Sequence, residues 1–301
     1  MSNITVLLDS ITRRVEMTGE PTLSAVVLNY RDADLTLHCL SELCSAADHS
    51  GTGLEVILVD NSAPLTASIL RRTLSPSVRL IENEINRGYA AGCNQGIQLA
   101  TGQYVLLLNN DVFITPKCIE LGVSVLKQHQ DVGIWAPRLC DNDGHALVSC
   151  APAPSLLGLV GEYWFGRSLT AYRDCIVWKI PREVDTVVGA YQLIPRSVID
   201  IVGPLDEDFF FTVEDMDYCY RVRAAGYRVV FDPRCTVTHL GSASQDHSHW
   251  DMDPYLHHSR GLYFEKHFSS RTAWLAKVII DFGLRWRRTL RSHLFTDMSH
   301  E

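Results

Sequence analysis

Residues 104–111 read YVLLLNND. Tyr104 to Leu108 have the length and apolarity of a strand buried on both faces. Asn109, Asn110 and Asp111 end that run abruptly. Two amides and a carboxylate at the carboxyl end of such a strand sit where open α/β sheets bind ligands. One carboxylate there, with a hard metal ion, can hold a diphosphate. Taken alone, the stretch reads equally well as a polar loop after a core strand.

Outward from it, strand-like and helix-like segments alternate from residue 23 to about 135. That pattern predicts a mostly parallel sheet with helices on both faces. Leu23–Leu28 (LSAVVL), Glu55–Val59 (EVILV), Val78–Ile81 and Ile134–Ala136 are the other expected strands. Helices are expected over Asp34–Ala47, over Tyr89–Ala100 with Gly102 as C-cap, and over Pro116–Gln128 with Pro in its first turn. Residues 141–183 mix Gly, Pro and aromatics without a clear period, which predicts a substrate-side loop region. Order returns at Asp185–Val188, a short helix Arg196–Val202, a helix closed by Gly226, strands Arg228–Phe231 and Thr236–Thr238, and a helical tail. The expected organisation is an N-terminal arm over 1–20, one α/β domain over 21–245 and a C-terminal helical extension over 246–301.

Composition sets the class. Of 301 residues, 46% are hydrophobic and 21% charged, as in an ordinary globular protein. A net charge of -8 argues against nucleic acid as a partner. The nine cysteines are scattered without a CxxC pair, so neither a zinc ribbon nor a redox dithiol is indicated. Cys39, Cys93, Cys118 and Cys219 read as buried reduced thiols, which fits a cytoplasmic protein. The first residues lack the basic and apolar regions of a secretory signal, and no apolar run is long enough to span a membrane.

Polar residues recur at strand ends. Asn29 follows the first strand, Asp60 and Asn61 the second, Asn83 and Asn86 the third, and Asp111 the fourth. Each alone is a turn former; together on one sheet edge they make a rim suited to a nucleotide, with Asp60 accepting from a base and a ribose. No GxGxxG and no GxxxxGK[ST] occurs, which excludes the dinucleotide fingerprint and the P-loop. In NEINRGYAAGCNQG (83–96), Arg87-Gly88 leads tightly into a helix whose small residues suit close packing. Arg87 at that N-terminus can also face a phosphate.

VEDMDY (213–218) places Glu214, Asp215 and Asp217 in the first turn of a helix. Acidic residues there compensate the helix dipole, or one of them serves as a general base. Crowded like charges raise a carboxylate pKa and the helix N-terminus lowers it, so the sequence leaves the balance open. His239, in THLGSAS, ends a strand. Facing Asp111 it would complete a mixed N/O site for manganese or magnesium. His247, His249, His257 and His258 lack the spacing of a tetrahedral zinc site.

The ordered series LNYR, VDNS, NRGYAAGCNQG, LLLNND, DTVVGAYQLIPR, DEDFFFTVEDMDYCYRVRAAGYRV and VTHLGSAS resembles the family 2 inverting glycosyltransferases of the GT-A fold. It looks closest to the bacterial rhamnosyltransferase-like branch, which builds cell-surface polysaccharides. The resemblance covers roughly residues 23–268. It implies a Rossmann-like mixed, mainly parallel sheet flanked by helices, with further helices at the C-terminus. NND stands where the family has its DxD-type motif, so Asp111, with His239, is the expected metal position for Mn²⁺ or Mg²⁺. Asn109 replaces the first Asp of that motif and becomes a secondary sugar-donor contact; Asn110 shapes the turn. Asp60 matches the base-binding aspartate. Asn29, Asn86, Arg87, Gly88 and Asn94 match sugar-donor-pocket positions, with Asn61 beside Asp60. Asp215 matches the catalytic base and Glu214 its acidic neighbour. Gly189 and Ala190 match the acceptor side.

The implied activity is metal-dependent inverting transfer of a sugar from a nucleoside diphosphate to a hydroxyl of a saccharide or lipid-linked acceptor. Rhamnose from its deoxythymidine diphosphate is the expected sugar donor, and a uridine diphosphate sugar the alternative. A catalytically inactive nucleotide-sugar-binding scaffold is disfavoured by the joint presence of Asp111, Asp215 and His239. A nucleotidyltransferase would need a glycine- and basic-rich loop where LNYRDAD stands. Outside the match, residues 264–291 combine an apolar stripe with Arg285, Arg287, Arg288, Arg291 and two Trp. Such a helix suits peripheral contact with the inner face of the cytoplasmic membrane, packing on the domain, or an oligomer contact. The N-terminal arm is a candidate for homodimerisation.

Overall fold

The computed structural model describes residues 22–165, 173–241 and 254–297. The expected N-terminal arm, the boundary near residue 245, and His247 and His249 lie outside the described residues. The strands are β1 (Leu23–Asn29), β2 (Leu54–Asp60), β3 (Arg79–Glu82), β4 (Tyr104–Asn109), β5 (Val112–Phe113), β6 (Val132–Cys140), β7 (Cys150–Ala151), β8 (Arg182–Glu183), β9 (Thr186–Val187), β10 (Tyr191–Pro195) and β11 (Arg228–His239). The helices are α1 (Ala33–Ser50), α2 (Ala63–Thr73), α3 (Tyr89–Leu99), α4 (Pro116–Gln128), α5 (Leu156–Phe165), α6 (Arg196–Val202), α7 (Glu214–Ala224), α8 (Pro254–His267) and α9 (Ser270–Asp297).

One sheet runs in the order β3-β2-β1-β4-β10-β6-β11-β5, with β8 on β11. β1 to β4 are parallel to one another, as is β6 to β11. β10 runs antiparallel between β4 and β6. The strands explain their own apolarity. Ala25 and Val27 of β1, with Leu106 and Leu108 of β4, pack on the face covered by α1 and α4. Val26, Val105 and Leu107 pack on the opposite face beneath α3, α6 and α7. Alternate residues thus enter different layers, and both layers are dry. A third cluster joins α5, α8 and α9.

Helix ends follow local chemistry. Asp32 caps α1 by accepting from the Leu35 amide at 2.9 Å, and Gly51 at φ +66° closes it. Helix α3 lies unusually close to β1, because a Cβ at Gly92 or Gly96 would meet Leu28 or Val26 side chains at 2.4 or 2.3 Å.

Several sequence expectations need correction. Ordered backbone at Asp185–Val188 is only the two-residue β9, paired with β7 in a separate small sheet. The central strand of that region is β10, which follows it. The expected strands Arg228–Phe231 and Thr236–Thr238 are one strand, β11, broken in register between Asp232 and Thr236. Residues 141–183 are not all loop: they include α5, whose two glycines and nearly all-apolar surface hide any helical period.

Strand direction fixes the functional edge. The ends of β1, β2, β3, β4, β6 and β11 and the start of β10 lie on the same side. Asn29 stands opposite Asp60, Leu28 opposite Asn109, and Tyr191 opposite Leu108.

Candidate active site

The rim begins with a buried knot at the ends of β1 and β2. Asn29 and Asp60 are fully buried. Asn29 Nδ2 donates to Asp60 Oδ1 at 2.9 Å, and the Ser62 amide and Thr66 hydroxyl donate to the same carboxylate at 2.9 and 2.6 Å. Asn29 Oδ1 accepts from Thr36 at 2.8 Å and from Asn110 Nδ2 at 3.3 Å. Asn110 also donates to Thr36 Oγ1 at 2.9 Å. The amide of Asn110 therefore ties the strand end of β4 to β1 and α1. It holds the turn that presents Asp111.

The next group orders the start of α3. Asn61 Nδ2 donates to the Gly88 carbonyl at 2.9 Å and its Oδ1 accepts from Asn83 at 2.8 Å. Asn86 Oδ1 accepts from the Gly88 amide at 2.9 Å. Gly88 has φ +86°, and a Cβ there would lie 2.5 Å from the Phe210 carbonyl oxygen, so only glycine fits. Arg87 is exposed beside it. Asn94 sits deeper. Its amide donates to the Leu205 carbonyl and Glu207 and accepts from the Leu205 amide at 2.8–2.9 Å. Both ends of that amide are thus engaged in fastening the 205–207 loop to α3.

Asp111 and His239 come together as their places at two strand ends require. β5 and β11 pair Val112 with His239, and the Leu240 amide donates to the Asp111 carbonyl at 3.0 Å. Asp111 Oδ1 and His239 Nε2 lie 3.4 Å apart, and both side chains are buried. Two ligands about 2.1 Å from an octahedral cation stand roughly 3 Å from one another, so this pair fits a hard divalent ion. A separate group, Asp141, Asp143 and His145, is an exposed turn in which Asp141 accepts from the amides of the other two.

Backbone joins Gly189 and Ala190, the expected acceptor side, to the strand end that carries Asp111. The Asn109 amide donates to the Ala190 carbonyl at 3.1 Å. The neighbouring Gly189 amide donates to Asp215 Oδ2 at 2.9 Å, and its carbonyl accepts from the Tyr89 hydroxyl at 2.9 Å. Asp215 Oδ1 accepts from the Met216 amide at 2.8 Å. Thr212 and Val213, just before α7, have φ +66° and +72°. Left-handed backbone costs a β-branched residue about 1–2 kcal/mol, a strain concentrated next to the two carboxylates.

Glu214 and Asp215 differ in surroundings. Burial raises both pKa values above the ordinary carboxylate range, and the Asp215 charge pushes Glu214 up further. Glu214 is pushed much further: its Oε2 is buried without a hydrogen-bond partner. Asp215 has amide donors that favour its anion. Of the two, Glu214 is the carboxyl whose burial favours the acid form, and Asp215 the one whose hydrogen bonds favour the anion. Asp217, the third acid of the segment, turns away to Arg221 at 2.8 Å and His267 Nε2 at 2.7 Å.

Sequence reasoning missed three contributors. Tyr89 lay inside the NRGYAAG segment but carried no signal beyond helix propensity. Glu162 of α5 and Arg260 of α8 form a buried ion pair at 2.5 Å. With Pro154 and Leu159 they line a small opening that reaches Met216, the residue after the base candidate. They lie nearly a hundred residues apart, and only the third core cluster brings them together.

Two family profiles match the chain, Glycosyl transferase family 2 over residues 24–149 and Glycosyl transferase family group 2 over residues 104–245. The chain is 27% identical over 266 residues to an N-acetylglucosaminyl-diphospho-decaprenol L-rhamnosyltransferase of Mycobacterium tuberculosis, covering 82% of this chain and 84% of that one. It is 27% identical over 218 residues to a low-salt glycan biosynthesis hexosyltransferase of Haloferax volcanii, covering 70% of this chain and 65% of that one. A mannosyltransferase from Pyrobaculum calidifontis, solved with GDP-Man and Mn²⁺, superposes with a TM-score of 0.57 at 16% identity over 98% of this chain and 87% of its own. GalNAc-T7, solved with UDP, GalNAc and Mn²⁺, does so at 0.53 and 14% identity, over 87% of this chain and 55% of its own. The two profiles overlap from β4 through β6 and together span every strand of the large sheet. The chain belongs to the family 2 glycosyltransferases and carries their GT-A fold.

Proposed function

We propose that this glycosyltransferase works by metal-dependent inversion, moving rhamnose from its deoxythymidine diphosphate to a hydroxyl of a saccharide or lipid-linked acceptor in cell-surface polysaccharide synthesis. The observation that carries the reading is the connected edge from Asp111 and His239, through Asn109 and Ala190, to Gly189 and Asp215. The Mycobacterium relative supports the choice of sugar and of a lipid-linked acceptor.

The chain's own residues supply the steps. Asp215, held as an anion by the amides of Gly189 and Met216, takes the acceptor proton as the hydroxyl attacks the anomeric carbon. A single displacement inverts that carbon, and no second carboxylate serves as nucleophile. Asp60 and Asn29 shape the wall for base and ribose, and Arg87 stands at a helix N-terminus open to the diphosphate. Asp111 and His239 would hold Mn²⁺ or Mg²⁺, which when bound offsets the charge of the departing diphosphate. The acceptor approaches over Met216, where Glu162 and Arg260 offer partners for sugar hydroxyls.

The test is turnover of purified protein with a panel of thymidine, uridine and guanosine diphosphate sugars, Mn²⁺ and an oligosaccharide or polyprenyl-linked acceptor. Asp215→Asn should keep sugar-donor binding and lose about 10²–10⁴-fold in transfer. Full activity of that variant would remove Asp215 as base. Asp111→Ala should lose metal-dependent binding of the nucleotide, measured by calorimetry with and without Mn²⁺. Unchanged affinity would remove it from the metal site.

A further inference from the structure

Helix α9 has two apolar faces where a surface helix of a globular protein needs one. The first is spent on the fold. Ala273, Ala276 and Ile280 are buried, and a Cβ on Gly283 would lie 2.6 Å from Tyr163 Cβ. Arg287 reaches across this seam to the carbonyls of Glu162 and Tyr163 at 2.6 and 3.1 Å. The second face points away from the body. Trp274 is 63% exposed, Phe282 53% and Trp286 49%, with Leu275 beside them. A period of 3.6 puts these on one side of the helix, opposite the buried set.

The apolar surface continues onto α5. Trp164 Nε1 donates to the Ile279 carbonyl at 3.3 Å, which brings the end of α5 against the Leu275 and Trp286 side of α9. Phe165, next in sequence, is 72% exposed. Arg271 and Arg285 are exposed among the aromatics, Lys277 and Asp281 are exposed at the margin of that face and offset each other, and Arg285 lies 5.7 Å from the Phe282 ring centre. Along α9, six Lys or Arg stand against two Asp. The whole chain carries -8, so this helix is a cationic exception on an acidic protein.

We propose that the outer face of α9, extended by Trp164 and Phe165, lies in the headgroup layer of an anionic lipid bilayer. The charge decides between occupants. A second copy of this chain would bring cation against cation at a two-fold contact. Anionic headgroups match the arginines, while Trp and Phe rings suit the boundary between headgroups and acyl chains. Among the described residues no helix is long and apolar enough to cross a membrane, so the contact is lateral. The proposal does not depend on which sugar is transferred.

The test is co-sedimentation of the full chain with phosphatidylglycerol–phosphatidylcholine vesicles and with phosphatidylcholine alone, without substrate. Binding should be confined to the anionic vesicles and fall with added salt. A Trp274→Ser, Phe282→Ser, Trp286→Ser triple variant should partition at least tenfold less, with its thermal melt unchanged. Arg271→Glu with Arg285→Glu should lose binding while keeping the aromatics. The proposal fails if the wild type ignores both vesicles or if the triple variant binds as well as the wild type. It also fails if analytical ultracentrifugation finds a dimer that the triple variant disperses.

Discussion

At the level of single residues, neighbours separate two adjacent carboxylates by what each is denied. Glu214 has a buried oxygen with no partner, while Asp215 has amides. Sequence gave the two acids and their helix start, and the resemblance gave their order of importance. It left open whether like-charge crowding or the helix field prevails, because the outcome depends on burial and on the Gly189 amide, 26 residues away. The answer has a stability consequence. A carboxyl whose folded pKa is raised contributes fully below its unfolded value and loses that contribution as pH climbs toward the folded one. Glu214 therefore makes the fold less stable as pH rises above the ordinary carboxylate range. Glu214→Gln should melt higher than wild type at pH 8, with the difference shrinking to nothing near pH 4. A melt series across pH that shows parallel curves for the two proteins would refute this. The turn at Asn110 shows the opposite case: its amide was legible as a turn former and serves as one.

Helices and strands were legible where one period governed them. β1, β2, β4, α1, α4 and α6 fall close to their expected places because apolar runs, caps and prolines agree there. β10 escaped because its five residues lie between a glycine and a helix start, and an antiparallel strand of a core sheet has no signature of direction. The small residues of α3 were read correctly as packing, and the structure makes that reading quantitative. By helix propensity alone, Gly96→Ala should stabilise by about 1 kcal/mol. A new Cβ would instead meet Val26 Cγ1 at 2.3 Å in the dry layer between helix and sheet. The expected result is a net loss of about 1–3 kcal/mol, read from urea denaturation. An increase in the denaturation midpoint would mean that α3 can lift from β1 without cost.

For the molecule as a whole, the site is divided between two stretches of chain that meet at β4. The proposed nucleotide side comes from β1 to β4, which are near neighbours in sequence. The proposed acceptor side comes from β10, α5, α7 and α8, which are not. This is why sequence order pointed to Asp111 and Asp60 from strand ends alone, while Glu162 and Arg260 emerged only from packing. The metal pair falls between the two cases, since His239 reaches Asp111 only because β11 runs parallel to β6.

The antiparallel insertion of β10 also dictates when the protein can finish folding. On one side β4 pairs with β1, and on the other it waits for residues 191–195, more than eighty positions further along the chain. Until they have been synthesised, the YVLLL run is an open sheet edge with every ladder amide on one side unpaired. A chain stopped at residue 185 is expected to form soluble aggregates or inclusion bodies, and one extended through α7 to stay dispersed, as judged by light scattering. Equal solubility of the two fragments would show that β4 is shielded some other way. The apolar stretch that anchors the catalytic edge in the finished enzyme is thus its chief hazard during biosynthesis, and the ribosome must deliver β10 before that hazard is removed.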